Sequence, residues 1–144
     1  MADEERSGFE EHGDASVLPC FGIAEVADQT GISAFTIRYY DKCGFFPNLA
    51  RDHRGIRTFS KADIAQLYFV DALRKSGLSI EGIQYYVKLQ RRGARSVDER
   101  RDIVLAQETV LEYQLAELQE CLGRLRAAGV ELSADRPGGR PAML

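Results

Sequence analysis

Cysteine is scarce in this sequence, and its three thiols, Cys20, Cys43 and Cys121, lie far apart and form no CxxC pair. That spacing excludes a disulfide framework and a thiolate metal knuckle, and it is typical of a protein in the reducing cytoplasm. No apolar run approaches the roughly 20 residues that a membrane helix needs. Because the N-terminus also lacks a basic segment followed by an apolar core, we expect no secretion signal and a cytoplasmic protein.

Histidine is rarer still, and the sequence shows no pattern of catalytic residues. His12 falls in an acidic segment and His53 in a basic one. No Ser/His/Asp or paired-carboxylate arrangement accompanies either of them. We therefore expect a protein that is not an enzyme and that carries neither a metal nor a cofactor.

The net charge of −3 conceals two segments of opposite sign. Residues 1–16 hold six acidic residues against Arg6, whereas residues 33–61 hold six basic residues against Asp41 and Asp52. A DNA backbone responds to the local patch, because charges beyond about 10 Å are largely screened at moderate salt. On charge alone, the basic segment could equally be a solvated surface.

Composition divides the chain into four parts and predicts a mainly α fold. Residues 1–18 are acidic and lack periodicity, so we expect a disordered arm, and the composition of residues 129–144 indicates a flexible tail. Residues 19–90 carry a mostly helical pattern interrupted once, as in a winged helix-turn-helix DNA-binding domain. Residues 96–128 predict a separate coiled-coil helix for dimerisation.

Two short helical segments separated by a glycine predict the helix-turn-helix. Apolar residues at i, i+3 and i+4 predict a first helix over Gly22–Thr30, and Gly31 supplies the tight turn. Ser33 is a natural N-cap for a second helix over Ala34–Lys42, which Gly44 ends. This corner is weak evidence on its own, because many all-helical domains contain one.

The wing is predicted at Leu49–Phe59, where polar and basic residues indicate a short hairpin with Gly55 near its turn.

A second helical pair follows the wing. Ser60 caps a helix over Lys61–Ser76, whose inward positions include Tyr68, and Ser79 caps the next helix.

One continuous helix is predicted from Ser96 to about Arg126, with an apolar stripe between charged flanks. Glu108 weakens the start of this stripe, whose members are Val104, Leu111, Leu115, Leu118, Leu122 and Leu125. Such a heptad stripe is what two helices need to supercoil. A helix of about 30 residues is roughly 45 Å long, and too little protein remains to cover it. A second copy is the expected partner, with a helix folded back on its own domain as the alternative.

The ordered motifs of residues 21–90 resemble the MerR family of bacterial transcriptional regulators. The residues that carry the resemblance are Phe21–Ala27, Gly31–Ser33, Thr36–Asp41, Gly44–Pro47, Arg54–Ser60, Asp63–Ile64, Phe69–Val70 and Leu73–Ile83. One departure is Ile56, where the family usually has an aromatic residue after the wing glycine.

The resemblance implies a homodimer, joined by an antiparallel coiled coil, that binds a palindromic promoter spacer. Members of the family bend and untwist that double-stranded DNA, which acts on RNA polymerase indirectly through the shape of the promoter. The alternative hypothesis is a coiled-coil protein-interaction module whose DNA binding is vestigial or purely architectural.

The resemblance and the chemistry of the side chains together predict nine DNA-contacting residues: Ser33, Thr36, Arg38, Tyr39, Arg51, His53, Arg54, Arg57 and Lys75. Thr36 and Arg38 would lie nearest the base edges of the major groove, with Arg38 the best candidate for a bidentate contact. Tyr39 would offer its hydroxyl to a phosphate, while Tyr40 is expected to pack against the wing. The basic residues of the wing and Lys75 are assigned to phosphate or minor-groove contacts, although solubility alone would also explain them.

The signal that such a regulator senses is not indicated by the sequence. Metal-sensing relatives use clustered cysteines, and only Cys121 lies in the predicted coiled coil, so a soft-metal sensor is not expected. An iron–sulfur cluster would need four cysteines near the tail. Cys43, Cys20 or Cys121 could sense an oxidant or electrophile, but inert thiols are the more common case.

Overall fold

The computed structural model describes residues 19–138, and its secondary structure is mainly helical, as the sequence predicts. Its elements are α1 (Ile23–Thr30), α2 (Ala34–Lys42), β1 (Ala50–Arg51), β2 (Arg57–Thr58), α3 (Lys61–Lys75), α4 (Ile80–Arg91) and α5 (Val97–Ala134), with a 3-10 turn at Gly93–Ser96. The arm expected over residues 1–18 and the end of the tail, residues 139–144, lie outside the described residues. The chain divides inside α3 into two compact units, one ending at Tyr68 and the other beginning at Phe69.

Helices α1 and α2 form the predicted helix-turn-helix of the first unit. Gly31 between them has a φ of 71°, in the left-handed region that glycine adopts without strain. The Ser33 hydroxyl accepts a hydrogen bond from the Thr36 N–H at 3.1 Å, so the N-cap predicted for α2 is confirmed. Val26 of α1 and Ile37 of α2 are fully buried, which places the apolar faces of both helices in the core.

Strands β1 and β2 form the predicted wing as a short antiparallel hairpin. Its register pairs Ala50 with Thr58 and Arg51 with Arg57. Gly55 lies in the connecting turn with a φ of 77°, so the prediction of a glycine at this turn is confirmed.

The turn of the wing is closed by the carboxylate of Asp52. It accepts hydrogen bonds from the backbone N–H groups of Arg54, at 2.8 Å, and Ile56, at 3.0 Å. The hydrogen bond from the Ile56 backbone favours the charged carboxylate and holds the pKa of Asp52 below its ordinary value, with Arg54 adding to the effect. Local contacts therefore fix the shape of the hairpin tip.

The base of the wing is anchored in an aromatic core. Phe59, which is fully buried, exchanges two backbone hydrogen bonds of 2.8 Å with Phe21 ahead of α1. Its ring meets that of Phe46 edge to face at 5.9 Å between centroids, and Tyr40 lies 5.4 Å from Phe45. Aromatic pairs of this geometry add about 0.5–1.5 kcal/mol to the free energy of burial.

Helix α3 begins with the predicted serine cap. The Ser60 hydroxyl accepts a hydrogen bond from the Asp63 N–H at 3.1 Å, and the Asp63 carboxylate accepts one from the Ser60 N–H at 2.9 Å. This reciprocal pair satisfies two backbone donors at the start of the helix. The inward position predicted for Tyr68 is wrong: its side chain is half exposed, and its hydroxyl donates to the Gln29 carbonyl at 3.3 Å.

The second unit packs α4 with the C-terminal part of α3 and the start of α5. Ser79 caps α4, as predicted, by accepting a hydrogen bond from the Gly82 N–H at 3.0 Å. The buried side chains of α4 are Ile83, Tyr86, Val87 and Leu89. Ser76, which is buried and directly follows α3, donates to the side-chain carbonyl of Gln107 in α5 at 2.8 Å and so links the end of α3 to α5.

Helix α5 is longer than the sequence predicts. It runs for 38 residues, about 57 Å at 1.5 Å per residue, and ends at Ala134 rather than near Arg126. Residues 129–134, expected in a flexible tail, are therefore helical. The glycines at 123 and 129 each cost about 1 kcal/mol in a helix, and the helix stops only as Pro137 approaches. Neither α5 nor any other helix within residues 19–138 is long and apolar enough to cross a membrane.

Candidate nucleic-acid interface

The outward face of α2 carries three of the residues predicted to contact DNA. Arg38 is exposed, Tyr39 is 47% exposed and Thr36 is partly buried. No carboxylate in the described part of the chain lies within ion-pair distance of the Arg38 guanidinium, so this group is available to a phosphate or a base. Ser33 is exposed too, but its hydroxyl is occupied by the N-cap and by a 2.9 Å hydrogen bond to the Thr36 hydroxyl.

Phe35 lies on the same face of α2 and was missed by sequence reasoning. Its side chain is 80% exposed. The helical period of α2 predicts this exposure. When Ile37 and Tyr40 are buried, positions 35, 38 and 39 face outward on a helix with 3.6 residues per turn.

The wing is attached to α2 by Asp41. From the sequence alone, Asp41 is only a negative charge within the basic segment of residues 33–61. One carboxylate oxygen of Asp41 lies 2.6 Å from Nε of Arg57 and 3.7 Å from an Nη of Arg51. The Asp41 side chain is only 16% exposed, so water screens this contact less than a surface pair. The ion pair therefore holds β2 of the wing at the C-terminal end of α2.

The basic residues of the wing differ in how far their charged groups are engaged in contacts within the protein. Arg57 is largely committed to Asp41, which makes it a positioning residue as well as a predicted DNA contact. Arg51 also donates to the Gly55 carbonyl at 3.0 Å, and Arg54 pairs with Asp52 at 3.1 Å while its side chain stays 65% exposed. His53 is exposed at the tip.

Together α2 and the wing enclose a shallow basic concavity of about 650 Å³. The side chains that line it are Phe35, Arg38, Tyr39, Asp41, Lys42, Arg51 and Arg57. Four cations stand against one carboxylate, and Lys42 is a further basic residue absent from the predicted set. A surface of this charge and shape fits the phosphate backbone and one groove of a nucleic acid.

We expect Asp41→Asn to reduce specific DNA affinity by about tenfold, since an ion-pair partner removed from a partly buried site costs about 1–3 kcal/mol. The variant removes a negative charge from the concavity, so affinity for unrelated DNA should stay equal or rise. The loss of specificity therefore separates a role in positioning the wing from plain electrostatics. Competition titrations with specific and unrelated duplexes measure both affinities.

Asp28→Asn is the matched control for this prediction. Asp28 lies on α1, is exposed, and loses the same charge without touching the wing. Equal behaviour of the two variants would mean that the Asp41 contact does not position the wing.

Lys75, the last residue predicted to contact DNA, belongs to the second unit. Its side chain is 73% exposed, and its ammonium lies 2.8 Å from the carboxylate of Asp71 one turn earlier in α3. A phosphate contact by Lys75 stays a prediction, and it would have to compete with this ion pair.

The predicted apolar stripe runs along α5 and is largely uncovered. Val104 is partly buried in the second unit. The exposed fractions of the other members are 39% for Leu111, 57% for Leu115, 67% for Leu118, 45% for Leu122 and 71% for Leu125. At its N-terminal end the stripe continues into a mainly apolar groove of about 390 Å³ between α3 and α5, whose walls include Phe69, Leu73, Val104, Leu111 and Leu115.

The cysteines lie apart in the structure as they do in the sequence. Cys20 and Cys121 are exposed, Cys43 is partly buried, and none forms a disulfide within the described residues. Over residues 19–138, no group of three or more His, Cys, Asp or Glu side chains is arranged to hold a metal ion.

Comparison with known proteins gives matches that cover both units. The sequence model of the MerR HTH family regulatory protein matches residues 21–90, and that of the MerR DNA-binding region matches residues 64–128. The HTH-type transcriptional regulator AdhR of Bacillus subtilis is 40% identical over 82 residues, which are 57% of this chain and 59% of AdhR. An HTH-type transcriptional regulator of Haemophilus influenzae is 34% identical over 105 residues, 73% of this chain and 78% of that protein.

Solved structures give the same result at the level of the fold. HiNmlR, described as a MerR family regulator lacking the sensor domain and crystallised bound to promoter DNA, superposes with a TM-score of 0.69 at 31% identity. The match covers 80% of this chain and 93% of HiNmlR. A MerR family transcriptional regulator from Listeria monocytogenes gives a TM-score of 0.64 at 33% identity, covering 75% and 82% of the two chains. The chain belongs to the MerR family of DNA-binding transcription regulators.

Proposed function

We propose that this protein binds a palindromic promoter spacer as a homodimer in the cytoplasm and controls transcription by bending and untwisting that DNA. The observation that carries the proposal is the basic concavity, in which Asp41 joins the recognition helix α2 to the wing. Two DNA-contacting elements held in fixed relation can contact one groove and the adjoining backbone at the same time.

The exposure of the basic side chains indicates which of them would contact bases and which would contact phosphates. Arg38 lies exposed on the outward face of α2 with no ion-pair partner among the described residues, and its planar guanidinium matches the two acceptors of guanine in the major groove. Arg54 and His53 lie exposed at the tip of the wing, where they can reach a phosphate or the minor groove. Phosphate contacts from the wing set the register in which α2 enters the major groove.

The exposed stripe of α5 supports the homodimer. Complete burial of an exposed leucine side chain is worth about 1.5–3 kcal/mol. Five leucines of the stripe are 39–71% exposed in the single chain, so each would gain a corresponding part of this free energy on assembly. A helix folded back on its own domain would cover them, which the exposed fractions argue against. An antiparallel partner helix would cover the stripe and extend over the apolar groove that begins at Val104.

Two DNA-binding domains joined by one coiled coil would change the shape of the promoter to which they bind. Contacts made by both wings and both recognition helices can offset a deformation that costs on the order of 1–6 kcal/mol for a smooth bend of a short site. The effect on RNA polymerase would then be indirect, through the relative orientation of the promoter elements that flank the spacer.

Footprinting of the full chain on the DNA upstream of its own coding region tests this proposal. We expect a protected segment with dyad symmetry, and circular-permutation mobility should show a bend centred on the dyad. Protection of unrelated DNA at the same concentration would contradict the proposal and favour a protein-interaction module. A lack of protection both in that region and on fragments selected by the protein from genomic DNA would do the same.

A further inference from the structure

Phe35 is the most exposed large hydrophobic side chain in the described part of the chain, at 80%. Isolated apolar residues on a surface are common and need no explanation by themselves. What distinguishes Phe35 is its neighbourhood, because it lies in a concavity otherwise lined by four cations, a carboxylate and a tyrosine.

The position of Phe35 in α2 also points to a contact with a ligand. It is the second residue of the helix, one turn ahead of Arg38 and Tyr39 on the same face. In helix-turn-helix proteins the N-terminal residues of the recognition helix are those that reach base edges. The Ser33 cap and the buried Ile37 fix the start of α2, so the Phe35 ring projects from a well-held backbone.

We propose that Phe35 packs against the C5-methyl group of a thymine in the major groove and so sets the preferred base pair at that position of each half-site. Thymine is the only base that presents a methyl group there, and phenylalanine is one of the side chains that recognise it by apolar contact. This inference rests on the proposed function, since it names a specificity contact of the same DNA-binding surface. An apolar ring among cations suits this task, because the cations hold the phosphates while the ring senses the methyl group.

Single replacement of thymine by deoxyuridine tests the contact without altering base pairing. Each thymine of one footprinted half-site is replaced in turn, then its symmetry mate as well, and affinities are measured by fluorescence anisotropy. For the unaltered protein we expect one sensitive position per half-site, with about fourfold weaker binding for one lost methyl and about 15-fold for both.

Phe35→Ala should weaken binding to the thymine-containing site by about tenfold or more, as expected when an aromatic anchor is truncated. In this variant the deoxyuridine replacement should have no further effect, because two partners of one contact are not additive. Phe35→Leu keeps an apolar side chain and should retain sensitivity to the methyl group with intermediate affinity. Tyr113→Ala is the matched control, since Tyr113 is an aromatic residue of α5 that is 67% exposed.

The outcomes separate this inference from the proposed function. Specific binding by the unaltered protein with no sensitive thymine, or equal sensitivity in Phe35→Ala, would overturn the contact while leaving the regulator intact. Absence of specific binding by the unaltered protein would instead overturn both. A change in the sedimentation coefficient of Phe35→Ala without DNA would assign Phe35 to a contact between two copies, which also overturns the inference.

Discussion

Leu118→Glu should convert the protein from a dimer to a monomer at micromolar concentration. Leu118 lies in the middle of the α5 stripe and is 67% exposed in the single chain, so in the proposed dimer the partner helix would cover it. The substitution removes about 1.5–3 kcal/mol of burial from each of two symmetric positions and places two charges in an apolar seam. The dimer dissociation constant should therefore rise by about 10²-fold to 10⁴-fold. Sedimentation velocity measures the change in mass directly.

Tyr113→Glu is the control for this prediction. Tyr113 is 67% exposed on α5 and lies at the heptad position that points away from the seam set by Leu111 and Leu115. It receives the same carboxylate and should remain dimeric. Both variants should keep the far-UV circular dichroism of the unaltered chain, because neither residue is buried in its own unit. A Leu118→Glu protein that stays dimeric would show that the copies associate through another surface.

Arg38→Ala should abolish specific recognition while leaving weak binding to any DNA. A bidentate contact to guanine contributes about 1–3 kcal/mol of discrimination, and the proposed dimer would make this contact twice. Specific affinity should fall by about 30-fold to 10⁴-fold. Non-specific affinity should fall far less, because the other cations that line the concavity would still be able to neutralise phosphates.

Arg38→Lys distinguishes the two ways in which Arg38 could act. Lysine keeps the charge and loses the planar fork, so a base contact predicts a loss of specificity close to that of alanine. Normal affinity in Arg38→Lys would make Arg38 a phosphate contact. Arg124→Ala controls for charge alone, since Arg124 is an exposed arginine of α5. Fluorescence anisotropy at two salt concentrations measures all three variants.

Much of the fold could be predicted because its signals are local. The caps at Ser33, Ser60 and Ser79 each depend on a hydroxyl and a backbone N–H three residues away, and the turn glycines Gly31 and Gly55 depend on their own φ angles. Short-range chemistry of this kind can be inferred from a few consecutive residues. The three helices that begin at these caps or turns, and the turn of the hairpin, are present in the structure.

The link between α2 and the wing could not be predicted in the same way. Asp41 and Arg57 are 16 positions apart, and their contact forms only in the tertiary fold, in which Phe59 and Phe21 join the base of the hairpin to the chain ahead of α1. From the sequence alone, Asp41 therefore counts only as a negative charge that lowers the net positive charge of residues 33–61. The end of α5 was also missed, because the glycines at 123 and 129 weaken a helix without ending it.

We propose that two copies of this chain bind one palindrome, and the stoichiometry of the protein–DNA complex tests this arrangement most directly. Sedimentation velocity of a fluorescent duplex carrying the footprinted dyad should show two chains per duplex. A duplex with a single half-site should bind at least about 10²-fold more weakly, because the second head then gains no specific contact. One chain per duplex, or equal affinity for the half-site and the full palindrome, would contradict the account.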